Sequence, residues 1–320
     1  MDKLRNIFGS RLKTDEPLSK HTTVQIGGPA QFFLEVKSPD ELIRAVKLAK
    51  ANKLNYLVIG GGSNLLVADD RFPGLIIKNS LSGISLQGET LEVQSGTPLQ
   101  LLVNFSLQNG LDGAQNLTGI PGTVGGAIYG NAGAYGQTIS DCLIKVVCLN
   151  PKSGKTVVLN KKQCGFTYRS SIFKANGYII LNTLLRFEKS PVRQLKKQST
   201  KILTQRLLRY PPGLKCPGSF FKNIPVAGLP LKSKQLIPPE KILYGKVPAG
   251  FLLEDTGARG RHIGGIHVSP IHGNLFINSG EGSAAQFWQL AKSCWGKVKD
   301  KFDISLEPEV QLVNLPPLAG

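Results

Sequence analysis

Residues 119–136 read GIPGTVGGAIYGNAGAYG: seven glycines, three alanines and no charge. A stretch this poor in side chains is either a flexible linker or a place where the main chain must lie close to something large. A linker would favour Ser, Thr and charged residues, whereas this one carries Ile120, Val124, Ile128 and Tyr129. Close approach is the better reading. Pro121 fixes φ and Gly122 supplies a positive φ, so the segment turns there. Gly125-Gly126-Ala127 is expected to open a short helix whose free N–H groups point at an anion. Asn131 to Gly136 then forms a second bare surface.

A second glycine loop, GGGSN (Gly60–Asn64), follows the strand-like NYLVI. A dinucleotide fingerprint would need a third glycine where Leu65 stands and a helix afterwards. LLVADD follows instead, so the nucleotide fold of that type is rejected. Successive glycine N–H groups can still curl into an anion-binding nest, with Ser63 and Asn64 as added donors; alone, the loop reads equally as a tight turn between strands. Two such loops about sixty residues apart suit a long ligand with a pyrophosphate in its middle.

The 320-residue length allows two or three domains. QFFLEV (31–36), NYLVIG (55–60) and GLIIKN (74–79) read as strands. Ser38-Pro39-Asp40-Glu41 opens a helix with a capping box, and Leu42, Ala45, Val46 and Ala49 form its buried stripe. A second α/β unit starts near Leu81: LEVQSG (91–96), then a helix capped at Thr97-Pro98 and stopped at Asn109-Gly110. CLIKVVCLN (142–150), KTVVLN (155–160) and YIILNTLLRFE (178–188) are further strands. The boundaries read 1–80, 81–190 and 191–300. The helix from Ala284 is expected to end near Cys294, and a last strand spans 302–313.

The net charge is +18. Residues 190–216 hold seven Lys/Arg and no Asp/Glu, on a helix with Val192, Leu195, Ile202 and Leu203 inward and Arg193, Lys196 and Lys197 outward. Only Tyr210 interleaves with the basic residues, so no nucleic-acid partner is expected. No apolar run approaches eighteen residues, which excludes a spanning helix. MDKLRNIFGSRLKTDEP has no apolar core and carries Asp2, Asp15 and Glu16, unlike a secretion signal. The five scattered cysteines are expected to be buried, reduced thiols of a cytoplasmic protein, and no metal site is expected.

GGGSNLLVADDRFPGLII, LTGIPGTVGGAIYGNAGAYG, FTYRSSIFK, PGSFFKN, PAGFLLEDTG and LEPEV occur in this order over some 250 residues. Together they resemble the UDP-N-acetylenolpyruvoylglucosamine reductase (MurB) family. The resemblance implies an α+β, FAD-binding fold of the PCMH/vanillyl-alcohol-oxidase type: two α/β FAD subdomains (1–80, 81–190), a C-terminal α+β substrate domain (191–300) and a C-terminal strand (301–320) returning to the cleft. It implies non-covalent FAD, NADPH as co-substrate and a UDP-sugar substrate whose enolpyruvyl ether is reduced to UDP-N-acetylmuramate in peptidoglycan precursor synthesis. Flavin N5 would deliver hydride to the terminal carbon of the double bond, and the adjacent carbon would then be protonated.

By the same matching, Ser219 is the proton donor, a role a weak acid can fill only toward a strong base such as an enolate. Arg169 holds the substrate carboxylate with a guanidinium fork that cannot lose its proton. Glu309 assists; Glu307 lies on the same face at period two, so alternation alone leaves both open. Tyr168, Asn223 and Lys246 are substrate contacts. The two loops supply the cofactor contacts Gly60, Gly61, Gly62, Ser63, Asn64, Pro121, Gly122, Thr123, Gly125, Gly126, Asn131 and Gly133. Bulky substitution at Gly122, Gly125 or Gly126 is expected to cost flavin before fold. Fifty residues between Arg169 and Ser219 leave little room for the extra substrate loop of one family type, which implies the short type. Separately, the chain is expected to be a monomer. KNI (222–224) and GARGRHIGG (257–265) depart from the family's KNP and GLKG. The alternatives are another FAD-dependent oxidoreductase of the same fold, or a basic binding protein on it without activity.

Overall fold

A computed structural model describes residues 2–318. By contact the chain forms two compact units, one of residues 1–16, 30–61 and 73–208, the other of residues 17–29, 62–72 and 209–320. The expected flavin subdomains over 1–80 and 81–190 contribute most of the first unit, which also takes in the basic helix Val192–Leu207.

The first unit is built on two larger sheets, beside two two-stranded ladders among the described residues. One runs Lys13–Pro17, Pro29–Val36, Phe72–Asn79, Tyr56–Ile59, the last two strands being parallel. The helix Pro39–Ala51 buries Leu42, Ala45, Val46 and Ala49, the stripe its spacing predicts. Ser38 Oγ accepts from the Glu41 N–H at 3.2 Å, as a cap should. The capping box is only half made, because the Glu41 carboxylate takes the Lys37 N–H and the Arg11 guanidinium instead. The other sheet is antiparallel: Thr156–Asn160, Leu143–Leu149, Ile179–Arg186, Thr90–Gln94, Ile84–Gln87.

The helix Leu99–Gln108 is not capped by Thr97 as expected. That hydroxyl bonds both backbone groups of Gly83, and the Leu99 N–H is satisfied by the Gly122 carbonyl at 3.0 Å. On the basic helix Leu195, Ser199 and Ile202 are buried, while Leu203 is 39% exposed; the inward face is narrower than the sequence implies.

In the second unit, the strands His262–Ile263, Ile266–Val268 and Phe276–Asn278 pair antiparallel. The helix Ala284–Phe302 outruns its expected end near Cys294, because Val298 and Phe302 continue the stripe of Phe287, Leu290, Ala291 and Cys294. It ends at Asp303, a residue at φ +53°. The expected strand over 302–313 shrinks to Gln311–Val313, parallel to Leu65–Val67, since Phe302 is helical and Pro308 can donate nothing to a ladder. Phe220, Phe221, Phe276 and Phe287 meet ring to ring at the centre of this unit's core. All five cysteines are free; burial pushes the Cys148 thiol to about 12 and those of Cys142 and Cys164 to about 11. Among the described residues no helix is long and apolar enough to cross a membrane.

Candidate active site

In the first unit the two glycine loops touch backbone to backbone. A Cβ on Gly61 would stand 3.0 Å from Gly122 Cα, and one on Gly60 would stand 2.5 Å from Thr123 Oγ1. Gly122 itself sits at φ +117°, a conformation that side chains rarely adopt. The short helix Val124–Tyr129 begins with Thr123 as its cap, one residue earlier than expected. Its opening N–H groups are not free for an anion. Val124 donates to Thr97 O at 2.9 Å, Gly125 to Ser95 O at 2.7 Å and Gly126 to Thr123 Oγ1 at 3.2 Å.

The glycines of this helix therefore divide by cause. A Cβ on Gly125 would lie 2.8 Å from Ser95 Cβ and 2.9 Å from Ser95 O, so that glycine is required by the protein's own packing. A Cβ on Gly126 would meet only Thr123 Oγ1, at 3.4 Å, and the residue is exposed. For Gly122 and Gly125, backbone conformation and contact set a cost to the fold itself against the expectation that substitution costs ligand first. Gly126 retains that expectation. Pro121 beside them is exposed.

Asn131, at φ +43°, is 6% exposed and donates from Nδ2 to Thr167 O at 3.0 Å. Its Oδ1 is buried with no donor among the described residues, a costly arrangement unless a ligand supplies one. Gly133 pairs with Thr138 in a two-residue ladder, where a side chain would run into the Gln137 carbonyl.

Arg169 closes a tight turn in which Thr167 and Ser170 exchange both backbone hydrogen bonds, at 3.1 and 3.3 Å. Tyr168 and Arg169 are its central residues, and Arg169 stands at φ +56°, where glycine or asparagine is favoured. Placing an arginine there costs on the order of 1 kcal/mol. The strain is held by neighbours: Lys174 Nζ donates to Arg169 O at 2.9 Å, and Ser171 Oγ donates to Tyr129 O at 2.7 Å. The guanidinium donates to Asn131 O at 3.4 Å and Gly133 O at 3.0 Å and lies 5.4 Å from the Tyr168 ring centre. Arg169, Tyr168, Asn131 and Gly133 are thus one cluster.

In the second unit, Gly62 stands at φ +65° with its carbonyl taking the Thr23 N–H. The Ser63 carbonyl is 4.0 Å from where a Cβ on Gly218 would be. Asn64 ties to the C-terminal segment, donating from Nδ2 to Glu309 O at 3.1 Å and accepting the Gln311 N–H at 2.9 Å.

Ser219 is fixed from both sides of the chain. It bridges Leu275, and the next two residues are clamped by Asn274: Phe220 N–H to Asn274 O, Phe221 N–H to Oδ1, and Nδ2 to Phe221 O, at 2.8 to 3.0 Å. The buried rings of Phe220 and Phe221 anchor the same stretch in the core. Ser219 Oγ lies 2.9 Å from the Tyr210 hydroxyl. On the neighbouring segment Glu309 N–H donates to Phe220 O at 2.7 Å, one residue from Ser219. Glu307 is instead exposed and paired with Lys222 at 2.6 Å. The Asn223 carboxamide oxygen caps the Ala249 N–H of the helix Ala249–Asp255 at 3.1 Å. Lys246, half-buried, pairs opposite Pro225 in the ladder that follows Asn223.

Three residues with a part in this geometry carry no sequence signal of it: Tyr210, Lys174 and Asn274. Tyr210 stands out in the sequence only as an aromatic among basic residues, and Lys174 and Asn274 not at all, because each acts through a contact distant in sequence or through a backbone carbonyl.

Residues 30–160 match the model of an FAD binding domain, and residues 211–313 match that of the UDP-N-acetylenolpyruvoylglucosamine reductase C-terminal domain. A UDP-N-acetylenolpyruvoylglucosamine reductase of Solibacter usitatus is 38% identical over 98% of this chain and its own full length. One of Rubrobacter xylanophilus is 36% identical over 95% of this chain and 96% of its own. The crystal structure of UDP-N-acetylenolpyruvylglucosamine reductase (MurB) from Thermus caldophilus superposes with a TM-score of 0.75 at 29% identity, covering 95% of this chain and 99% of that one.

Proposed function

The chain belongs to the UDP-N-acetylenolpyruvoylglucosamine reductase family, and on that premise we propose that it is an FAD-dependent, NADPH-consuming enzyme that reduces the enolpyruvyl ether of a UDP-sugar during peptidoglycan precursor synthesis. The observation that carries the reading is the immobilised Ser219, set between the Asn274 clamp and the Glu309 segment. We read the enzyme as a cytoplasmic monomer.

The residues fit a flavin. Among the described residues the buried Asn131 Oδ1 has no donor, which a heteroaromatic N–H would supply, and beside Gly126 only the Thr123 hydroxyl comes near. Gly60, Gly61, Gly122, Thr123, Gly126, Asn131 and Gly133, with Gly62, Ser63, Asn64 and Pro121, are assigned to holding it; Gly125 keeps a scaffold role. Held there, FAD would supply the two-electron hydride chemistry that links NADPH to the terminal carbon of the substrate's double bond.

The protein's own residues handle the charge and the proton. Arg169 binds the carboxylate conjugated to that double bond and stabilises the negative charge that spreads onto it, having been held in a strained turn before substrate arrives. Tyr168, Asn223 and Lys246 are assigned to orienting the UDP-sugar. Ser219 gives its hydroxyl proton to the carbon next to the carboxylate, and Glu309 assists in polarising that carboxylate. A rigid donor suits this task, because proton transfer needs the acceptor within hydrogen-bond reach of a fixed oxygen.

The test separates the half-reactions in the FAD-loaded enzyme. Ser219→Ala is expected to leave flavin reduction by NADPH at its normal rate and to slow reoxidation by the enolpyruvyl UDP-sugar at least a hundredfold, a typical general-acid contribution. Equal slowing of both half-reactions, or of neither, refutes the proton-donor role.

A further inference from the structure

Tyr210 lies outside every role assigned above, yet its hydroxyl is 2.9 Å from Ser219 Oγ, with either oxygen able to donate. The phenol is held at both ends. Its ring packs with Leu214 against Cys216, Leu275 and Ile277, and Leu275 is also the residue that Ser219 bridges. Pro211-Pro212-Gly213, with Gly213 at φ +80°, turns the chain so that Tyr210 returns onto the Ser219 stretch. Tyr210 is half-buried, so it reaches Ser219 from a position that still communicates with solvent.

A serine that gives up its proton becomes an alkoxide, a strong base that must be reprotonated before the next turnover. A phenol, with an ordinary pKa of about 10, is a far better acid than an aliphatic alcohol. We propose that Tyr210 is a positioning residue for Ser219: it orients the Oγ–H and resupplies its proton. The inference rests on Ser219 being the proton donor. In balance, a C–H bond forms at the carbon next to the substrate carboxylate with the Ser219 proton. Ser219 Oγ then takes the Tyr210 hydroxyl proton, and the phenolate takes one from water. These are proton transfers with no oxidation or reduction, the enolate's electron pair becoming the new C–H bond; because hydride transfer can revert until that carbon is protonated, flavin reoxidation reports on them.

The experiment compares Tyr210→Phe with Ser219→Ala in the FAD-loaded enzyme. Phenylalanine keeps the ring and its packing and removes only the hydroxyl. The expected result is reoxidation by the enolpyruvyl UDP-sugar slowed about tenfold or more, with NADPH-driven flavin reduction, melting temperature and substrate Kd by calorimetry all unchanged. A merely structural tyrosine would move Kd or melting temperature with the rate, and that outcome overturns the proposal. If Tyr210→Phe reoxidises at the normal rate while Ser219→Ala is slow, the relay is wrong and the serine's role stands. If both variants reoxidise normally, the serine's role fails and the relay with it.

Discussion

Gly125 and Gly126 are neighbours in one short helix, and the structure predicts opposite fates for them. In Gly125→Ala the new Cβ would stand 2.8 Å from Ser95 Cβ and 2.9 Å from Ser95 O, against an optimum near 3.5–4.0 Å for carbon contacts. Relief requires the helix start and the end of its neighbouring strand to part by about 0.7 Å, which also stretches the 2.7 Å bond from Gly125 N–H to Ser95 O. Overpacking of this kind costs about 1–3 kcal/mol and the weakened bond about 1 kcal/mol, against a helix-propensity gain of about 1 kcal/mol. The net is a loss of about 1–3 kcal/mol, or a melting temperature lowered by roughly 2–12 °C at 2–4 °C per kcal/mol. In Gly126→Ala the Cβ meets one side-chain oxygen at 3.4 Å, so the FAD-free protein should gain up to about 1 kcal/mol. On the proposed flavin-holding role of Gly126, the Kd for FAD should rise at least tenfold, because the added methyl would occupy surface assigned to the ligand. Melting curves of FAD-free protein with fluorescence titration of FAD read both quantities. Normal FAD affinity in Gly126→Ala, or a stable Gly125→Ala that has lost FAD, would refute the division.

Lys174→Met removes the ammonium that holds the Arg169 carbonyl at 2.9 Å; the strained turn should relax, raising the Kd for the enolpyruvyl UDP-sugar about tenfold with NADPH-driven flavin reduction unchanged, measured by calorimetry and stopped-flow absorbance. Burial lowers the pKa of His272, with the Arg209 and Arg259 charges adding to it and the Glu254 carboxylate 3.7 Å away opposing it. The folded state therefore binds its proton less readily than the unfolded chain, so this contribution is complete above about pH 6.5 and is lost as pH falls through the folded pKa. His272→Gln should flatten the fall in melting temperature between pH 7.5 and 5, and an unchanged slope would assign that fall to other groups.

Local chemistry was legible. Ser38 caps its helix, the 39–51 stripe is buried as spaced, and the basic helix turns Arg193, Lys196 and Lys197 to solvent. Such features rest on residues three or four apart, where sequence spacing and spatial proximity coincide. Thr97 fails as a cap because Gly83, fourteen residues earlier, competes for its hydroxyl. The anion-binding N–H groups expected at Gly125-Gly126 fail for the same reason, since Thr97, Ser95 and Thr123 already occupy the opening donors of the helix. Glycine content indicates that backbones come close. It does not say whether the neighbour is a ligand or the protein itself: added side chains at Gly60, Gly61 and Gly125 would each crowd another segment of the protein, whereas one at Gly126 would meet only the Thr123 hydroxyl. Arg169 is the converse case: a positive φ on a bulky residue leaves no mark in the sequence, because the residue type that betrays such positions is glycine.

The two glutamates of LEPEV show what kind of information was missing. Period-two alternation treats Glu307 and Glu309 as equivalent only if both lie on one regular strand, and the ladder in fact begins at Gln311. Before it, Phe221 bridges Pro308, and the hydrogen bonds on either side go to different partners. The Glu307 carbonyl takes the Lys222 N–H, and its carboxylate takes the Lys222 ammonium out in solvent, where an ion pair is worth little. Glu309 instead donates its N–H to Phe220 O and lends its carbonyl to Asn64, which sets its Cα beside the Ser219 stretch in a half-buried position. Two residues with the same spacing thus acquire different chemistry from the segments they pair with. The backbone partner, not the periodicity, makes Glu309 the carboxylate to test: Glu309→Gln keeps the backbone bonds to Phe220 and Asn64 and changes only the charge.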